Sequence, residues 1–569
     1  FHAASRKMGR LYNADKKLFS MRIRHPSRRW NHRITWRNGG KKDFRDLVMS
    51  QFDVIVVGGG INSLVTASLL GKAGKKVLIL EARDQVGGLA STSEFAPGFK
   101  CNDINDVLKW IDPRVLQQLG LDAHGLELIQ PDVVRIALGE NGENITFHQD
   151  PKKTAASIAN HSEKDAKAWE DFTEYIQKLT HFLEKLYAIT PPSLPNVGLK
   201  DLLGMRSMLG PVTKHGSRGL VDLMRVVPMM MPELMDEWFE NKLLRGAIST
   251  AGIHHLSFGP FSAATGYNLL HQHVHSGGVF HNAQFVKGGT DELAQALKSS
   301  AESTNDEILT NSKVSSINVE NGLCSGVTLR DGEEIYANKV VSGLDPNNTF
   351  INLVGPSNLN PNFNTQLNNI RYRGSTARIH FALNGLPKFK GVAADQMGTV
   401  FSIAPSIEYL EKASDAVKYG RLPENPFVEF TIPSIINSDF APDGKHVLSA
   451  TIQYAPYHLR NQNWTQDLNN QLKNNVVRVL ENYCPGFHGM IESSSLLSPV
   501  DLENQFGLTE GNLNHGEMTL DQFMFMRPTI SSAQYKSPIE NLYLCGPGTH
   551  PGGGLHGTNG FNAAREMLK

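Results

Sequence analysis

The composition of this 569-residue chain, with 40% hydrophobic and 20% charged residues, is typical of a globular protein large enough for two or more hydrophobic cores. No apolar run approaches the roughly 18 residues of a membrane-spanning helix, so the sequence excludes such a helix. Its four cysteines, Cys101, Cys324, Cys484 and Cys545, are scattered without a C-x-x-C pair, which argues against dithiol chemistry, structural zinc and a disulfide scaffold.

The net charge is zero, but the charge is unevenly distributed along the chain. Residues 1–48 carry 14 lysines and arginines against 3 acidic residues, and this arginine-rich, acid-poor tail is similar to an organelle transit peptide. The alternatives are translated upstream sequence, with Met49 as the true start, or a solvated basic arm. A transit peptide predicts the mitochondrial matrix as the location; otherwise the cytoplasm is expected. No aromatic or basic pattern continues beyond the tail, so nucleic-acid binding is not expected.

The first elements predicted in the folded part are a strand, a helix and a second strand. The run at 54–57 is rich in β-branched residues and ends on glycines, as expected of a buried parallel strand. At 61–70 the apolar residues recur at spacings of three and four, which predicts a helix that ends at Gly71 and Gly74. A second buried strand is predicted at 77–80.

The turn between the first strand and the helix has the residues that an adenine dinucleotide needs. Glycines at Gly58 and Gly60 let the backbone approach a pyrophosphate, which the N–H groups at the helix start attract. Glu81, at the tip of the second strand, is placed to accept hydrogen bonds from a ribose. Ser63 occupies the third position of the glycine motif. The alternative is a glycine turn in an ordinary βαβ unit.

A second glycine signature follows, in which Arg83 precedes the glycine pair at 87–88 and small polar residues stand at 91–92. This stretch resembles the phytoene desaturase and flavin amine oxidase superfamily, where it lines the pyrophosphate of FAD. Leu89 stands where the wider family usually has an arginine. The resemblance implies FAD as the cofactor and an α/β fold. That fold has a Rossmann-like FAD-binding domain of the glutathione-reductase type, discontinuous in sequence, with an α+β substrate domain.

Residues 161–189 form a predicted amphipathic helix that begins at Ser162 and presents one apolar stripe. More helical sequence with proline breaks runs to about residue 248 and includes a methionine cluster at 229–231. Such a cluster is more often core filler than part of a cofactor or lipid site. In the superfamily an insert of this kind builds the substrate tunnel, sometimes with a membrane-dipping face. The resemblance therefore implies an apolar small-molecule substrate and peripheral membrane contact.

Histidines are dense between residues 254 and 281. On a strand, His271, His273 and His275 would share one face and could bind a metal ion. No carboxylate accompanies them at a metal-ligand spacing, and histidines that line a polar loop or pocket explain the run equally well. No metal site is therefore predicted.

The dinucleotide fold is expected to resume at Gly288 and Gly289, before a helix that begins near Thr290. A β-meander follows up to residue 342, with hairpin turns at Asn321-Gly322 and Asp331-Gly332. In the superfamily the first of these strands lies beside the adenosine of FAD, which implies a contact from Val314.

Residues 346–506 are expected to form an antiparallel sheet with helical cover, the α+β substrate domain. The strands predicted there are 376–383, 427–432 and 446–454, and the predicted helix is 466–483.

The C-terminal stretch predicts a buried strand at 541–545, a glycine-rich turn and a helix that starts near Gly557. The crowded glycines indicate that the backbone comes close to something flat and polar. The resemblance, which runs from about residue 52 to residue 569, implies that this turn lies at the isoalloxazine of FAD. His550 and His556 flank the glycines and are the candidate acid–base residues, with ordinary backbone-capping histidines as the alternative.

The expected cofactor contacts combine the glycine motifs with what the resemblance implies. They are Gly58, Gly60, Ile61, Asn62, Ser63, Glu81, Ala82, Arg83, Gly87, Gly88, Leu89, Ala90, Val314, Gly546, Gly548, Gly557, Asn559 and Asn562. The expected division of the chain is a basic tail at 1–48, an FAD-binding domain at 49–130, 276–345 and 520–569, and a substrate-binding domain with a helical insert at 131–275 and 346–519.

A single-flavin oxidoreductase is expected, because the chain has no redox cysteine pair and no second complete glycine-loop unit for NAD(P)H. The resemblance implies a dehydrogenase, desaturase or oxidase that removes hydride from a C–H or N–H bond of an apolar or amine-type molecule. The reduced flavin would then be reoxidised by oxygen, a quinone or a protein partner. The alternative is a flavoprotein with a mainly regulatory or partner-binding role.

Overall fold

The computed structural model describes residues 52–193, 197–198, 206, 209–304 and 306–569, and the predictions for the tail at 1–48 lie outside these ranges. The strands are β1 Phe52–Val57, β2 Val77–Leu80, β3 Thr92–Ala96, β4 Phe99–Asn102, β5 Leu128–Ile129, β6 Val133–Ala137, β7 Ile145–His148, β8 Phe285–Val286, β9 Glu307–Leu309, β10 Val314–Glu320, β11 Leu323–Leu329, β12 Glu334–Ser342, β13 Thr376–Leu383, β14 Val400–Ile403, β15 Phe427–Thr431, β16 His446–Gln453, β17 Ile491–Leu497 and β18 Leu542–Leu544. The α-helices are α1 Ile61–Lys72, α2 Pro113–Leu119, α3 Pro151–Ala159, α4 Glu163–Tyr187, α5 Leu209–Val226, α6 Met231–Asp236, α7 Lys242–Ile253, α8 Thr265–Gln272, α9 Asp291–Glu302, α10 Pro361–Asn368, α11 Ile407–Lys418, α12 Pro433–Ile436, α13 Gln466–Tyr483, α14 Pro499–Phe506 and α15 Thr558–Met567.

The first large sheet, sheet A, has a parallel centre in the order β9-β2-β1-β12-β18. The first part of β12 continues into an antiparallel meander with β11 and β10, as the hairpin turns predict. β1 and β2 are almost wholly buried, which explains their continuous aliphatic sequence. Helix α1 contacts both α9 and α15. Because β1, β2, β12 and β18 are parallel, the residues that follow them meet at one edge of the sheet.

The second large sheet, sheet B, has the order β17-β13-β16-β15-β14-β6-β7, and it is antiparallel except where β14 pairs with β6. Alternate residues of its central strands point to opposite faces. On one face, Ile379 and Ile452 pack in a core with Leu480 of α13. The alternate positions include the polar residues Arg378, Glu429 and Thr451. Sheet B therefore presents polar side chains on the face away from that core.

The helical segment packs around α4, whose apolar stripe is buried as predicted. Ser162 caps this helix by accepting a hydrogen bond from the Asp165 N–H. The Asp165 carboxylate accepts from the N–H groups of Glu240 and Asn241 at the start of α7, so it ties the two helices together. Met231 is fully buried in the same core, which agrees with core filling. Within the described ranges, no helix is both long and apolar enough to cross a membrane.

The histidine run does not form a strand. His271 lies in helix α8 and His273 directly follows that helix, so the three alternate histidines do not share a strand face. Among the described residues, no cluster of histidine, cysteine or carboxylate side chains is arranged to hold a metal ion.

We expect Asp165→Ala to lower the midpoint of thermal unfolding. The substitution removes the charged acceptor of the Glu240 and Asn241 N–H groups, and a hydrogen bond to a charged group contributes about 1.5 to 3 kcal/mol. Glu170→Ala, which removes an exposed carboxylate from the same helix, is the matched control and should change the midpoint little. Equal midpoints for the two variants would contradict this role of Asp165.

Candidate active site

The parallel edge of sheet A opens on a cavity of about 500 Å³ that reaches to the polar face of sheet B. The ends of β1, β2 and β12 line it from one side, through residues 57–63, 80–83 and 343–344. From the other side it is lined by polar residues of β13, β15 and β16. Ligands of open parallel sheets bind at this kind of edge, outside the carboxyl ends of the strands.

The glycine turn after β1 holds Glu81 at the edge of the cavity. The Gly59 N–H donates to Oε2 of Glu81 at 2.6 Å, and the Arg83 N–H donates to Oε1 at 2.8 Å. A Cβ added at Gly59 would lie 3.1 Å from Glu81 Oε2 and 3.0 Å from Val86, so this position admits only glycine without a shift. The sequence prediction used Gly58 and Gly60 and missed Gly59, although the run of three glycines was a visible signal.

Gly60 is the N-cap residue of helix α1, and no side chain caps the first turn of this helix. The first N–H groups of a helix have no partner within the helix, and together with the helix dipole they attract an anion. A Cβ added at Gly60 would meet no atom within 4 Å, so the residue borders open space. Because Gly60 also lines the cavity, this space is available to the pyrophosphate of a dinucleotide.

The second glycine signature packs directly on the first. The Gly87 N–H donates to the Gly59 carbonyl at 2.8 Å, and a Cβ at Gly88 would lie 3.2 Å from Gly60 Cα. Both Gly87 and Gly88 have positive φ angles, of 119° and 60°. Arg83 donates to the Gly88 carbonyl at 3.0 Å. The two signatures therefore form one cradle of closely packed backbone.

Two thirds of the predicted cofactor contacts line the cavity. They are Gly58, Gly60, Ile61, Asn62, Ser63, Glu81, Ala82, Arg83, Gly87, Gly88, Leu89 and Val314.

Six predicted contacts do not line the cavity, and the structure gives them supporting positions instead. They are Ala90, Gly546, Gly548, Gly557, Asn559 and Asn562. Ala90 is fully buried behind Gly87.

The glycines among these six allow close packing of the C-terminal loop. A Cβ at Gly546 would lie 2.4 Å from the Gly343 carbonyl oxygen, and one at Gly548 would lie 2.7 Å from Pro346. Gly557 precedes α15 with a φ of 75°. The loop itself reaches the cavity at Pro547 and at residues 553–556.

The two asparagines hold backbone segments around this loop. The Asn559 amide donates to the carbonyls of Thr549 at 3.0 Å and of Gly552 at 3.2 Å. The Asn562 amide donates to the Tyr187 carbonyl at 2.7 Å and to Tyr535 Oη at 3.1 Å. The amide nitrogens of both side chains thus donate to residues that do not line the cavity.

His556 borders the cavity and stacks on Trp110, with ring centroids 4.1 Å apart and planes within 3°. Its Nδ1 accepts from the Thr558 N–H, so Nε2 carries the proton and donates to the Gly553 carbonyl. Burial lowers the pKa of His556 to about 3. Both nitrogens are occupied and the ring is neutral, so His556 is poorly suited to be a general base. No sequence signal marked Trp110 as part of the site.

His550, the other acid–base candidate, does not line the cavity. Its Nε2 donates to the Leu186 carbonyl at 3.0 Å, and its ring packs edge-on against Tyr187. Burial lowers the pKa of His550 to about 4. The placement of His550 agrees with the alternative of a histidine that bonds to backbone.

His271 lines the cavity and was not predicted as a site residue. Its Nε2 donates to the Gly553 carbonyl at 2.8 Å, which leaves Nδ1 to accept from Tyr187 Oη at 2.8 Å. Tyr187 Oη lies 3.0 Å from Tyr267 Oη in turn. Burial lowers the pKa of His271 to about 4. The only available signal was the density of histidines in this part of the sequence.

Arg378, on the polar face of sheet B, ties the loop at 102–110 to that sheet. Its guanidinium donates to the Asp106 carboxylate at 2.8 Å, to Thr451 at 2.8 Å and to the carbonyls of Asn102 and Asp103 at 3.3 Å. Residues 104–110 of this loop line the cavity. One side of the cavity is therefore positioned by sheet B.

The fold and the site define an α/β protein that binds an adenine dinucleotide beside a second, substrate-facing sheet. The family model described as "Flavin containing amine oxidoreductase" matches residues 64–568. The chain is 30% identical over 543 residues to pyridine nucleotide-disulfide oxidoreductase domain-containing protein 2 of Rattus norvegicus, covering 91% of this chain and 94% of the relative. It is 28% identical to one of the subunits of limonene dehydrogenase from Castellaniella defragrans, with coverages of 92% and 95%, and 24% identical to phytoene desaturase (lycopene-forming) of Pantoea ananas, with coverages of 90% and 98%.

Two solved structures share the fold. An oxidoreductase from Methanosarcina mazei matches with a TM-score of 0.56 at 14% identity, covering 91% of this chain and 99% of the other. Cyclohexylamine oxidase from Brevibacterium oxydans matches with a TM-score of 0.53 at 14% identity, with coverages of 91% and 97%. At such identities the likeness concerns the fold alone.

The chain belongs to the flavin-containing amine oxidoreductase family. It is an FAD-dependent oxidoreductase with a Rossmann-like FAD-binding fold and a substrate domain. The resemblance stated from the glycine signatures, the fold class, the cofactor and the enzyme class are confirmed. The residues that would hold FAD in this structure are those of the cradle around Gly60 and Glu81.

We expect Gly60→Val to abolish or strongly weaken FAD binding without unfolding the protein. The backbone at Gly60 is extended, and the Cβ of the new side chain would meet no protein atom within 4 Å. Gly489→Val, which also adds a side chain in open space, is the control and should keep its FAD. The measurements are flavin absorbance after gel filtration and the far-ultraviolet circular dichroism of both variants. Full flavin occupancy in Gly60→Val would contradict a pyrophosphate at this turn.

We expect the protein to lose stability as the pH falls from about 6.5 towards 4, partly through His271. Its pKa is about 4 in the folded state and about 6.5 in an unfolded chain. Between pH 6.5 and pH 4 the unfolded state binds a proton at this histidine that the folded state does not. The contribution of His271 to stability is therefore complete above pH 6.5 and is lost as the pH falls towards 4. The thermal midpoint of His271→Asn should therefore fall less between pH 7 and pH 5 than that of the wild type. The midpoint of the control His488→Asn, which replaces an exposed histidine, should fall by as much as that of the wild type. An equal loss in His271→Asn would contradict the assignment.

Proposed function

We propose that the protein removes a hydride from a C–H bond of an apolar small molecule, with reoxidation of the flavin by oxygen, a quinone or a protein partner. The observation that carries this proposal is the cavity that borders both the FAD cradle on sheet A and the polar face of sheet B. Bound FAD supplies a two-electron acceptor for hydride from a C–H or N–H bond. The chain itself binds the dinucleotide, orients the substrate and shields the reacting bond from water.

The lining of the cavity supports an apolar substrate. Its lining includes the apolar residues Ile104, Val107, Leu108, Trp110, Val400 and Leu555. Limonene and phytoene, the compounds in the names of two relatives, are hydrocarbons, and this fits the same substrate class. Burial of apolar surface provides about 25 cal/mol per Å² of affinity before the costs of binding are subtracted.

The charges near sheet B disfavour an amine substrate. Lys109 and Arg135 both contact Glu429, so this group carries one more positive than negative charge. An ammonium substrate would add a like charge at the same place. Removal of hydride from an N–H bond is therefore our second candidate for this site.

His556 and His271, two of the histidines that line the cavity, hold structure and do not take protons. His556 and His271 each use both ring nitrogens in hydrogen bonds, one to the Gly553 carbonyl and one to a donor. Neither ring offers a free lone pair to a proton that leaves the substrate. We infer that both histidines position the loop at residues 553–556 beside the reacting bond.

The test is anaerobic bleaching of the FAD-bound protein by hydrocarbons with allylic C–H bonds, primary amines, acyl compounds, NADH and NADPH. We expect saturable bleaching by an apolar compound with a reactive C–H bond and none by either nicotinamide cofactor. Bleaching by amines alone would contradict C–H oxidation in favour of the second candidate. If no compound bleached the flavin, the regulatory or partner-binding alternative would be favoured.

A further inference from the structure

An ion cluster lies where the cavity meets sheet B. Lys109 Nζ is 3.2 Å from Glu429 Oε1, and Arg135 Nη2 is 2.5 Å from Glu429 Oε2. Lys109 and Glu429 line both the cavity and a smaller one of about 20 Å³, whereas Arg135 borders the smaller one alone. The Arg135 side chain is only 4% exposed. Charges buried this deeply are expensive unless they are paired or bind a ligand.

The cluster has spare hydrogen-bond donors. Both carboxylate oxygens of Glu429 are taken by Lys109 and Arg135. Lys109 donates to Glu429 and, within the part of the chain that the structure describes, to no other group. Arg135 Nη1 likewise has no hydrogen-bond partner among the described residues, although it is buried. An ammonium has three N–H donors, so Lys109 keeps two donors beyond its bond to Glu429.

The net charge of the cluster is positive. Burial works to raise the pKa of Glu429, but Arg135 and Lys109 hold it well below its usual range, so the carboxylate is charged. Burial lowers the pKa of His254 well below its usual range and that of His255 to about 3, so both rings are neutral. The two bases therefore face one carboxylate.

The other ion pair in this part of the cavity joins Arg378 to Asp106. Arg378 also donates to three further oxygens, including Thr451 Oγ1. Its donors are committed to the loop at 102–110 and to sheet B. Among the described residues in this part of the cavity, Lys109 is thus the cationic group that remains able to bind a ligand.

We propose that the substrate carries a carboxylate at one end and that Lys109 binds this carboxylate at the sheet B end of the cavity. Arg135 holds Glu429 and so positions Lys109. The apolar part of the substrate then extends along the apolar lining towards Trp110, the residue that follows Lys109. This inference rests on the proposed function, because it names the substrate class of the same site.

The test compares three probes that share one chain length: octanoate, octanol and octylamine. Their affinities for the FAD-bound protein are measured by isothermal titration calorimetry at pH 7.5. We expect octanoate to bind at least about tenfold more tightly than octanol or octylamine, because only octanoate presents an anionic acceptor to the ammonium of Lys109. No octanoate preference in the wild type, including no measurable octanoate binding, overturns the proposal without any variant.

Variants test whether Lys109 is the residue that causes the preference for octanoate. Lys109→Met should lose the octanoate preference while binding octanol about as well as the wild type, and Lys109→Arg should retain it. Lys153→Met is the matched control, because it removes an exposed lysine that is also paired with one carboxylate, that of Asp132. A preference that survives in Lys109→Met overturns the assignment to Lys109. If Lys109→Met fails to fold, loss of the preference in Lys109→Arg overturns it, because the charge is still present.

Two outcomes distinguish a wrong carboxylate site from a wrong proposed function. Flavin bleaching by neutral hydrocarbons, without any octanoate preference, would leave the proposed function standing and overturn the carboxylate site. Octanoate preference without bleaching by any compound would support the carboxylate site and contradict the proposed oxidation.

Discussion

The FAD site depends on the hydrogen bond from the Gly59 N–H to the Glu81 carboxylate. This bond joins the ends of β1 and β2, and glycine at position 59 permits it without a shift, because a Cβ there would lie 3.1 Å from the carboxylate. The second glycine segment then packs on the first through the bond from Gly87 to Gly59. The backbone thus builds the cradle for the pyrophosphate, while a single buried carboxylate is left for the ribose.

The end of the cavity away from the cradle is formed by the polar face of sheet B. Sheet B alternates apolar residues on its core face with polar residues such as Arg378 and Glu429 on the other face. Arg378 holds the loop at 102–110 against this sheet, and the same loop carries Lys109 and Trp110. The two ends of the cavity are therefore formed by separate sheets, and the loop at 102–110 lies between them.

Buried polar side chains hold the C-terminal loop against the cavity. His271 reaches the Gly553 carbonyl from helix α8, and Asn559 donates to several carbonyls of the loop from α15. Burial keeps His271 neutral by lowering its pKa to about 4, so it can accept from Tyr187 and donate to Gly553 at the same time. An unpaired buried carbonyl would cost about 1 to 3 kcal/mol, so these contacts stabilise the glycine-rich loop beside the cavity.

The sequence by itself determined the features that depend on neighbouring residues. The glycine turn at Gly58 and Gly60, strands β1 and β2, the β-meander and helix α13 follow from local periodicity and turn chemistry, and all occur as predicted. Only the tertiary structure decided which distant side chains share the cavity. Lys109, His271 and Glu429 meet there because the loop at 102–110, helix α8 and sheet B converge on it. For the same reason Asn559 turned out to support the loop from outside the cavity. A local pattern reports how a segment folds and which face it buries, whereas the contacts of a polar side chain depend on the long-range packing that surrounds it.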